Sequence, residues 1–449
     1  MSMVAFFPWL NVGRDYDFGD FQLVAFQREQ RPAGPETAAP DPALQATLDA
    51  VLAPFLAHTR PVNLATLLRV GAHGLTDDLN EQERELAFLA SELIAFGGLA
   101  TREFFEPLGL HEHYCNFDNF TNYVQGFRDL QRGSTLSIRR RDVGFLSFVA
   151  GDAYRVDEPP HVSAQAPTIV LDEPLIRGLL GARARAEWPS FDEALFGFNR
   201  ANTDNATTRE HFEAVMMVGA FARLLDIPGP RMEEPLAQTF VATFQPAQDL
   251  RSGAAPRGIR FPAEMPVREA WIRDFVRLRH GPAHGIRDVG YPSVWPLREH
   301  LLLGAYAFPL LVKRRLQALH LYALTDQDRA NIDVFERLAA EDAFAHLGGP
   351  DDAAREPAWT RIRDQVRRER RRAAAVLHLG EAAAQNREAD DPDEPDGTFQ
   401  VIQALERACP ECRSPLQLVE ARANEPDPEP WRYVRCSNLR CGYTERADG

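Results

Sequence analysis

The chain has little positive charge to offer a polyanion. Its 449 residues carry 65 acidic side chains against 50 basic ones, which gives a formal net charge of −15. Lysine is nearly missing, since Lys313 is the only one, and arginine takes its place throughout. A surface with this balance repels nucleic acid as a whole, so a nucleic-acid partner is expected only at a local basic patch or a small site.

Cysteine is scarce too, and its distribution does not fit a secreted disulfide scaffold. Five cysteines occur, one isolated at Cys115 and four between Cys409 and Cys441. A framework of disulfides would spread its cysteines over the whole domain, so this pattern favours a reducing compartment.

Long apolar runs are also missing. A membrane helix needs about eighteen consecutive apolar residues, and the best candidate, residues 301–312, is shorter and has charged residues on both sides. The first residues have no basic segment before their apolar stretch, and Pro8 interrupts that stretch, so no signal peptide is expected. We therefore expect a cytoplasmic protein with no membrane partner.

The length and the changing pattern of the chain predict a multidomain protein. A chain of 449 residues exceeds what one hydrophobic core usually serves. Residues 1–160 are expected to form a mixed α/β domain with a sensing or regulatory role, and residues 161–378 an all-α helical bundle. An acidic linker over 379–397 then leads to a zinc ribbon over 398–449.

Periodicity gives the expected elements. Strands are predicted at 21–26, 62–68, 134–138 and 144–149, and helices at 42–57 and 79–96. In the helical array the predicted helices are 175–184, 191–201, 208–225, 235–244, 267–280, 295–322 and 326–345. An arginine-rich helix at 361–375 is expected to close the array.

Four cysteines near the end of the sequence form the clearest metal signature. Cys409 and Cys412 make a tight Cys-x-x-Cys knuckle, and Cys436 and Cys441 make a wider one. Four thiolates at about 2.3 Å satisfy tetrahedral Zn²⁺, and two such turns joined by a hairpin-length insert are typical of zinc ribbons. With all four positions filled by protein the zinc is structural. The alternative, a redox Cys-x-x-Cys with two unrelated cysteines, lacks a thioredoxin-like context.

A second motif ends the predicted helix 267–280. Residues 275–285 read Phe-Val-Arg-Leu-Arg-His-Gly-Pro-Ala-His-Gly. This segment resembles the signature of the HEPN family, the all-helical domains of many prokaryotic toxins and antiviral ribonucleases: an arginine, a polar residue, a short spacer and a histidine often followed by glycine. Arg279, His280 and His284 fall on those positions. The resemblance, best to the Apea-like branch, covers residues 165–345 and implies an all-α HEPN helical bundle, RNA cleavage and a homodimer through this domain.

The motif residues suit RNA cleavage without a metal or other cofactor. His284 as general acid/base can take the proton of a ribose 2′-hydroxyl, which then attacks the adjacent phosphate. Arg279 can hold the phosphate oxygens and stabilise the growing charge. Five residues on an ideal helix turn through about 500°, which leaves the two side chains about 140° apart. One helix does not aim both at one atom, so a cleft built by two motif helices of a dimer is expected.

Several positions around the motif have two interpretations. Gly281 and Pro282 depart from the family pattern, because a proline there removes a helical hydrogen bond and can kink or end the helix. His280 either contacts phosphate or orients the catalytic histidine, or it is a helix-end residue favoured by the helix dipole. Glu213, the lone acid in an apolar stretch, either pairs with Arg279 or is an exposed acid.

Two weaker signals remain. His111, His113 and Cys115 alternate as ligands on one strand face can, but a solvent-facing edge explains them without a fourth ligand. Five arginines within 367–372 form the only dense positive run. They either guide RNA phosphates or form a solvated helix face.

Three functions are compatible with these signals. The first is a metal-independent RNA endonuclease of HEPN type, which would act as an antiviral defence or abortive-infection effector. Its partner is RNA, and a phage-derived or protein trigger would activate it. The second is a non-catalytic HEPN scaffold that dimerises and binds nucleotide or protein. The third, a zinc-ribbon adaptor protein, explains only the C-terminal residues.

Overall fold

A computed structural model describes sixteen segments of the chain. They are residues 2–27, 42–57, 60–101, 117–127, 134–139, 145–150, 155–157, 168–203, 208–227, 229, 231–283, 293–340, 399–408, 415–421, 431–436 and 444–446. The chain divides into two compact units, Met1–Arg371 and Arg372–Gly449.

The first unit contains two sheets. Its strands are β1 (Ser2–Phe7), β2 (Tyr16–Asp17), β3 (Phe21–Gln27), β4 (Phe55–Ala57), β5 (Arg60–Pro61), β6 (Leu64–Val70), β7 (Tyr123–Phe127), β8 (Ser134–Arg139), β9 (Phe145–Ala150) and β10 (Val156–Asp157). Seven of them form an antiparallel sheet in the order β2-β3-β6-β1-β7-β8-β9, and the small sheet has the order β10-β4-β5.

The helices of this unit follow the predicted period. They are α1 (Pro42–Leu52), α2 (Glu81–Thr101), α3 (Glu173–Ala182), α4 (Trp188–Ala201), α5 (Glu210–Leu224), α6 (Glu233–Thr243), α7 (Val267–Ala283), α8 (Leu297–Ala318) and α9 (Asp326–Ala340). Each of the seven helices predicted for the array is confirmed to within a few residues.

Alternation along the central strand β1 explains how the large sheet joins the helices. Val4 and Phe6 point to one face and share a small core with α1 and β4, whereas Met3, Ala5 and Phe7 point to the other. Since successive side chains of a strand face opposite sides, both faces of β1 are buried. The second face belongs to one continuous core that also contains residues of α2 to α9.

The continuous core differs from the expected division into domains. A boundary near residue 160 was expected, but Met1–Arg371 is one unit. Aromatic contacts bridge its parts: the ring centroids of Phe96 and Phe198 lie 5.3 Å apart in an edge-to-face contact, and those of Phe198 and Phe308 are stacked 4.6 Å apart. The helical array therefore packs directly on the sheet through α2.

Two elements of the first 160 residues differ from their prediction. The helix expected over 42–57 ends at Leu52 as α1, and the chain continues as β4. The helix expected over 79–96 extends to Thr101 as α2.

The second unit is a four-stranded antiparallel sheet in chain order. Its strands are β11 (Phe399–Ala408), β12 (Pro415–Ala421), β13 (Trp431–Cys436) and β14 (Thr444–Arg446). Each strand pairs with the next one along the chain.

Among the helices that the structure describes, none is both long enough and apolar enough to cross a bilayer.

Candidate functional site

The arginine and histidine motif lies at the end of α7, a helix with one apolar face. Trp271, Phe275 and Val276 are fully buried, and the helix packs against α5, α6 and α9. Four arginines, Arg268, Arg273, Arg277 and Arg279, lie along the same helix. The face that carries the motif is therefore set by the packing of the aromatic residues one to two turns earlier.

The helix continues through Gly281 and Pro282 to Ala283. Proline fixes φ near the helical value, but it removes one backbone hydrogen bond and its ring crowds the carbonyl four residues earlier. The backbone is helical where the resemblance to the HEPN family implies it. His284, one residue beyond the helix, lies outside the described residues, as do the side-chain contacts of His280.

Three of the four arginines along α7 are neutralised by carboxylates. The pairs are Arg268 with Glu336 and Asp249, Arg273 with Glu234 and Glu269, and Arg277 with Glu233. The separations between the paired nitrogen and oxygen atoms run from 2.5 to 2.9 Å. An ion pair of this kind raises the pKa of Arg273, chiefly through its hydrogen bond to Glu234.

Arg279 is the exception on this helix. Its Nη1 contacts Met232 Sδ at 2.6 Å, its Nε is buried without a hydrogen-bond partner, and it has no carboxylate partner among the described residues. Burial lowers its pKa, although an arginine stays cationic at neutral pH. A half-buried cation without an anion is a desolvated charge that a phosphate can compensate.

The pairing of Glu213 with Arg279 is not found in the described part of the chain. Glu213 is half-buried in the first turn of α5, whereas Arg279 reaches the buried Met232 just before α6. An acid in the first turn is favoured by the helix dipole. A role of Glu213 beside Arg279 stays a prediction.

A second cluster, which the sequence did not single out, surrounds Asp274 one turn and a half before Arg279. Asp274 Oδ2 accepts hydrogen bonds from Ser293 Oγ at 2.7 Å, from the backbone N–H groups of Val294 and Trp295 at 2.9 and 3.2 Å, and from His300 Nε2 at 3.2 Å. These donors lie where the chain returns from the motif and enters α8. We name Asp274, Ser293 and His300 the return clamp.

Asp274 and His300 of the return clamp are buried. Burial acts on the pKa of both groups. Burial would raise the pKa of Asp274, but the hydrogen bonds and charge of His300 and the donors of Ser293 and Trp295 outweigh it, so the pKa is lowered. Burial lowers the pKa of His300, although Asp274 opposes that effect. His300 Nε2 donates to Asp274 Oδ2, and His300 Nδ1 has no partner within the described residues. The feature of the sequence that points to this cluster is an acid, Asp274, on the apolar face of α7.

In the second unit, the strand register brings two connections to the same end of the sheet. Ala408 pairs with Pro415, and Leu416 pairs with Cys436. The connection 409–414, which contains Cys409 and Cys412, therefore leaves the sheet beside the connection that follows Cys436. Cys409, Cys412 and Cys441 themselves lie outside the described residues.

The other predicted ligand and charge clusters fall outside the described part of the chain. These are His111, His113 and Cys115, and the arginine run 367–372. Within the part that is described, no group of three or more His, Cys, Asp or Glu side chains is arranged to hold a metal ion.

Comparison with known proteins adds no relative. No family model matches the chain, and no curated protein or solved structure has significant similarity to it.

Proposed function

We propose that the chain is a metal-independent RNA endonuclease of the HEPN type, an antiviral defence or abortive-infection effector. The observation that carries the proposal is the state of Arg279. It is the arginine of α7 without a carboxylate among the described residues, and it lies five positions before His284. Its charge is available to a phosphate, whereas a phosphate at Arg273 or Arg277 would compete with glutamates.

The proposed reaction is an internal transfer at a phosphodiester. His284 takes the proton of the 2′-hydroxyl, the 2′-oxygen bonds to phosphorus, and the bond from phosphorus to the 5′-oxygen breaks. The leaving oxygen takes a proton and becomes a 5′-hydroxyl, and a 2′,3′-cyclic phosphate remains. Arg279 donates to the non-bridging oxygens while their charge grows. Two chains, each with an α7, are proposed to form the cleft as a homodimer.

Arg279→Ala is expected to reduce RNA cleavage by about a hundredfold or more, the usual effect of losing a donor to transition-state charge. Arg277→Ala is the matched control, because it removes an exposed arginine two residues away that already pairs with Glu233. We expect that control to stay within about threefold of the wild type. The measurement is cleavage of total RNA by full-length protein with a chelator present, with His284→Ala as a third variant.

Equal cleavage by wild type, Arg279→Ala and His284→Ala would contradict the proposal. Toxicity on expression complements the assay where a trigger is needed, and it should be lost with Arg279→Ala and kept with Arg277→Ala. If the wild type neither cleaves RNA nor is toxic, the scaffold function replaces the nuclease.

We also propose that the second unit holds one structural Zn²⁺ through Cys409, Cys412, Cys436 and Cys441. The support is the shared end of the sheet from which both cysteine-bearing connections leave. Thiolates are the ligands that structural zinc prefers, and a sheet this small gains stability from a metal.

Purified protein is expected to contain about one zinc per chain, since one set of four thiolates binds one ion. Cys412→Ser should lower the zinc content to near zero, and Cys115→Ser should leave it unchanged. Elemental analysis measures the zinc content of the wild type and of the two variants. Retention of zinc by Cys412→Ser would show that the ligand set is wrong.

A further inference from the structure

An open groove lies between α2 and α4, away from the residues of the motif. It has a volume of about 1280 Å³. Along both helices the lining residues recur every three or four positions, which places them on one face of each helix. They are residues 81, 85, 88 and 92 of α2 and residues 188, 192, 196 and 200 of α4. Residues one turn apart on a helix face the same side, so each helix presents a continuous stripe to the groove.

The stripes combine aromatic rings with acids. Aromatic lining comes from Phe88, Phe117, Phe120, Trp188 and Phe196. Five carboxylates and three guanidinium groups line the same space, which gives a formal charge of −2. Two of the three arginines are paired inside the lining, Arg200 with Glu92 and Arg223 with Glu193. The groove therefore favours a cationic ligand with flat or apolar parts and disfavours a polyanion.

The groove already binds one guanidinium of its own chain. Arg200 Cζ lies 4.1 Å from the ring centroids of both Phe117 and Phe196, so the guanidinium sits against two aromatic rings. The same group forms a bidentate pair with Glu92, with distances of 2.7 and 2.8 Å. Stacking on rings and forked pairing with a carboxylate are the two ways in which proteins recognise arginine.

The ring of Phe196 has room for a second guanidinium. It is 55% exposed, and Asp192 lies one turn before it on the same stripe of α4. An aromatic residue this exposed is unusual on a helix whose other large apolar residues are buried or half-buried.

We propose that this groove is a docking site for an arginine-bearing basic segment of a partner protein. The incoming arginine stacks on Phe196 and pairs with carboxylates that line the groove. Arg200 makes the same two kinds of contact with Phe117 and Glu92. This site is separate from the proposed nuclease motif, and its charge makes it a protein site rather than an RNA site.

The test is a binding titration with full-length protein and a fluorescent peptide that carries four arginines, followed by anisotropy at low and at moderate salt. Saturable binding is expected, and replacing the peptide's arginines with lysines should weaken it several-fold, because an ammonium does not stack or fork. Phe196→Ala should weaken binding by about tenfold, the effect of losing a contact near the centre of an interface. Asp192→Asn should also weaken it.

Phe212→Ala is the matched control. Phe212 is 57% exposed on the neighbouring helix α5 and does not line the groove, so its loss should leave binding unchanged. No saturable binding by the wild type, equal weakening by Phe212→Ala, or unchanged binding by Phe196→Ala would each overturn the proposal. Saturable binding of a labelled oligouridine that is weakened by Phe196→Ala would overturn it too, because the site would then take nucleic acid.

Discussion

Replacing Lys313 with methionine is expected to lower the free energy of unfolding of the first unit by roughly 3–5 kcal/mol, the usual effect of removing one partner of a buried ion pair. Lys313 Nζ lies 2.6 Å from Asp172 Oδ2 and 2.6 Å from Asp328 Oδ1; Lys313 and Asp328 are buried, and the Asp172 side chain is 11% exposed. Methionine fills a similar volume but leaves two carboxylates facing each other without a cation. Urea unfolding followed by tryptophan fluorescence measures the loss.

The position of Lys313 explains why the effect is large. Asp172 caps the N-terminus of α3 by accepting from Leu175 N, and Asp328 accepts from Thr325 N and Tyr322 Oη before α9. The ammonium group on α8 thus joins the starts of two other helices. A compact ammonium with three donors fits between two carboxylates. A planar guanidinium does not fit there in the same way.

The pH dependence follows from the direction of each pKa. Burial would lower the pKa of Lys313, but Asp172 and Asp328 raise it above its ordinary 10.5. Its contribution is therefore complete at neutral pH and is lost only as pH rises through the folded pKa. Burial would raise the pKa of Asp328, but Lys313 and the Thr325 donors lower it below 3.8. Its contribution is therefore present above about pH 4 and is lost as pH falls through the folded pKa.

Arg329→Met is the control for Lys313→Met. It removes a cation whose partner, Asp326, is almost fully exposed on the surface of α9, so its cost should stay below about 1 kcal/mol. A triple variant, Lys313→Met with Asp172→Asn and Asp328→Asn, should recover part of the loss because no buried charge remains. An equal loss in Lys313→Met and Arg329→Met would contradict the assigned role of the ion cluster.

Periodicity predicted the helices well, because each carries an apolar face that repeats every three to four residues. It failed where burial on both sides removes the pattern. β1 reads as a continuous apolar run, since Val4 and Phe6 serve one core while Met3, Ala5 and Phe7 serve the other. The same two-sided burial explains why the sheet and the helical array form one unit.

The contacts that decide the chemistry were less predictable. Arg279 was found from its motif, but its lack of a carboxylate depends on which glutamates α6 brings to Arg273 and Arg277. Lys313 stands out in the sequence only as the single lysine, and its partners Asp172 and Asp328 are remote from it in sequence by 141 and 15 residues. Pairings over such separations depend on the tertiary packing and leave no local pattern.

Asp274→Ala is expected to lower the free energy of unfolding by roughly 3–5 kcal/mol, because it removes the acceptor of two buried donors, Trp295 N–H and His300 Nε2–H. Ser293, Val294, Trp295 and His300 all donate to Asp274 Oδ2. Urea unfolding at neutral pH measures the change. The control is Glu193→Ala, which removes an exposed carboxylate on α4 paired with Arg223 and should cost less than about 1 kcal/mol.

Asp274→Asn separates charge from shape in the return clamp. The amide keeps the size and one acceptor oxygen but loses the charge that His300 and the backbone donors stabilise. The pKa of Asp274 is lowered below 3.8 and that of His300 below 6.5, so above about pH 7.5 the carboxylate is ionised, the imidazole is neutral, and the difference in stability should be constant. It should narrow as pH falls below 3.8.

The return clamp also bears on the motif. The chain between Ala283 and Ser293 contains His284, and its two ends are the last turn of α7 and the residues that Asp274 holds. If the nuclease proposal is right, Asp274→Asn should lower RNA cleavage at temperatures where the protein is still folded, while RNA affinity, set by Arg279, changes little. A loss of affinity equal to the loss of rate would show instead that the clamp acts only through general unfolding.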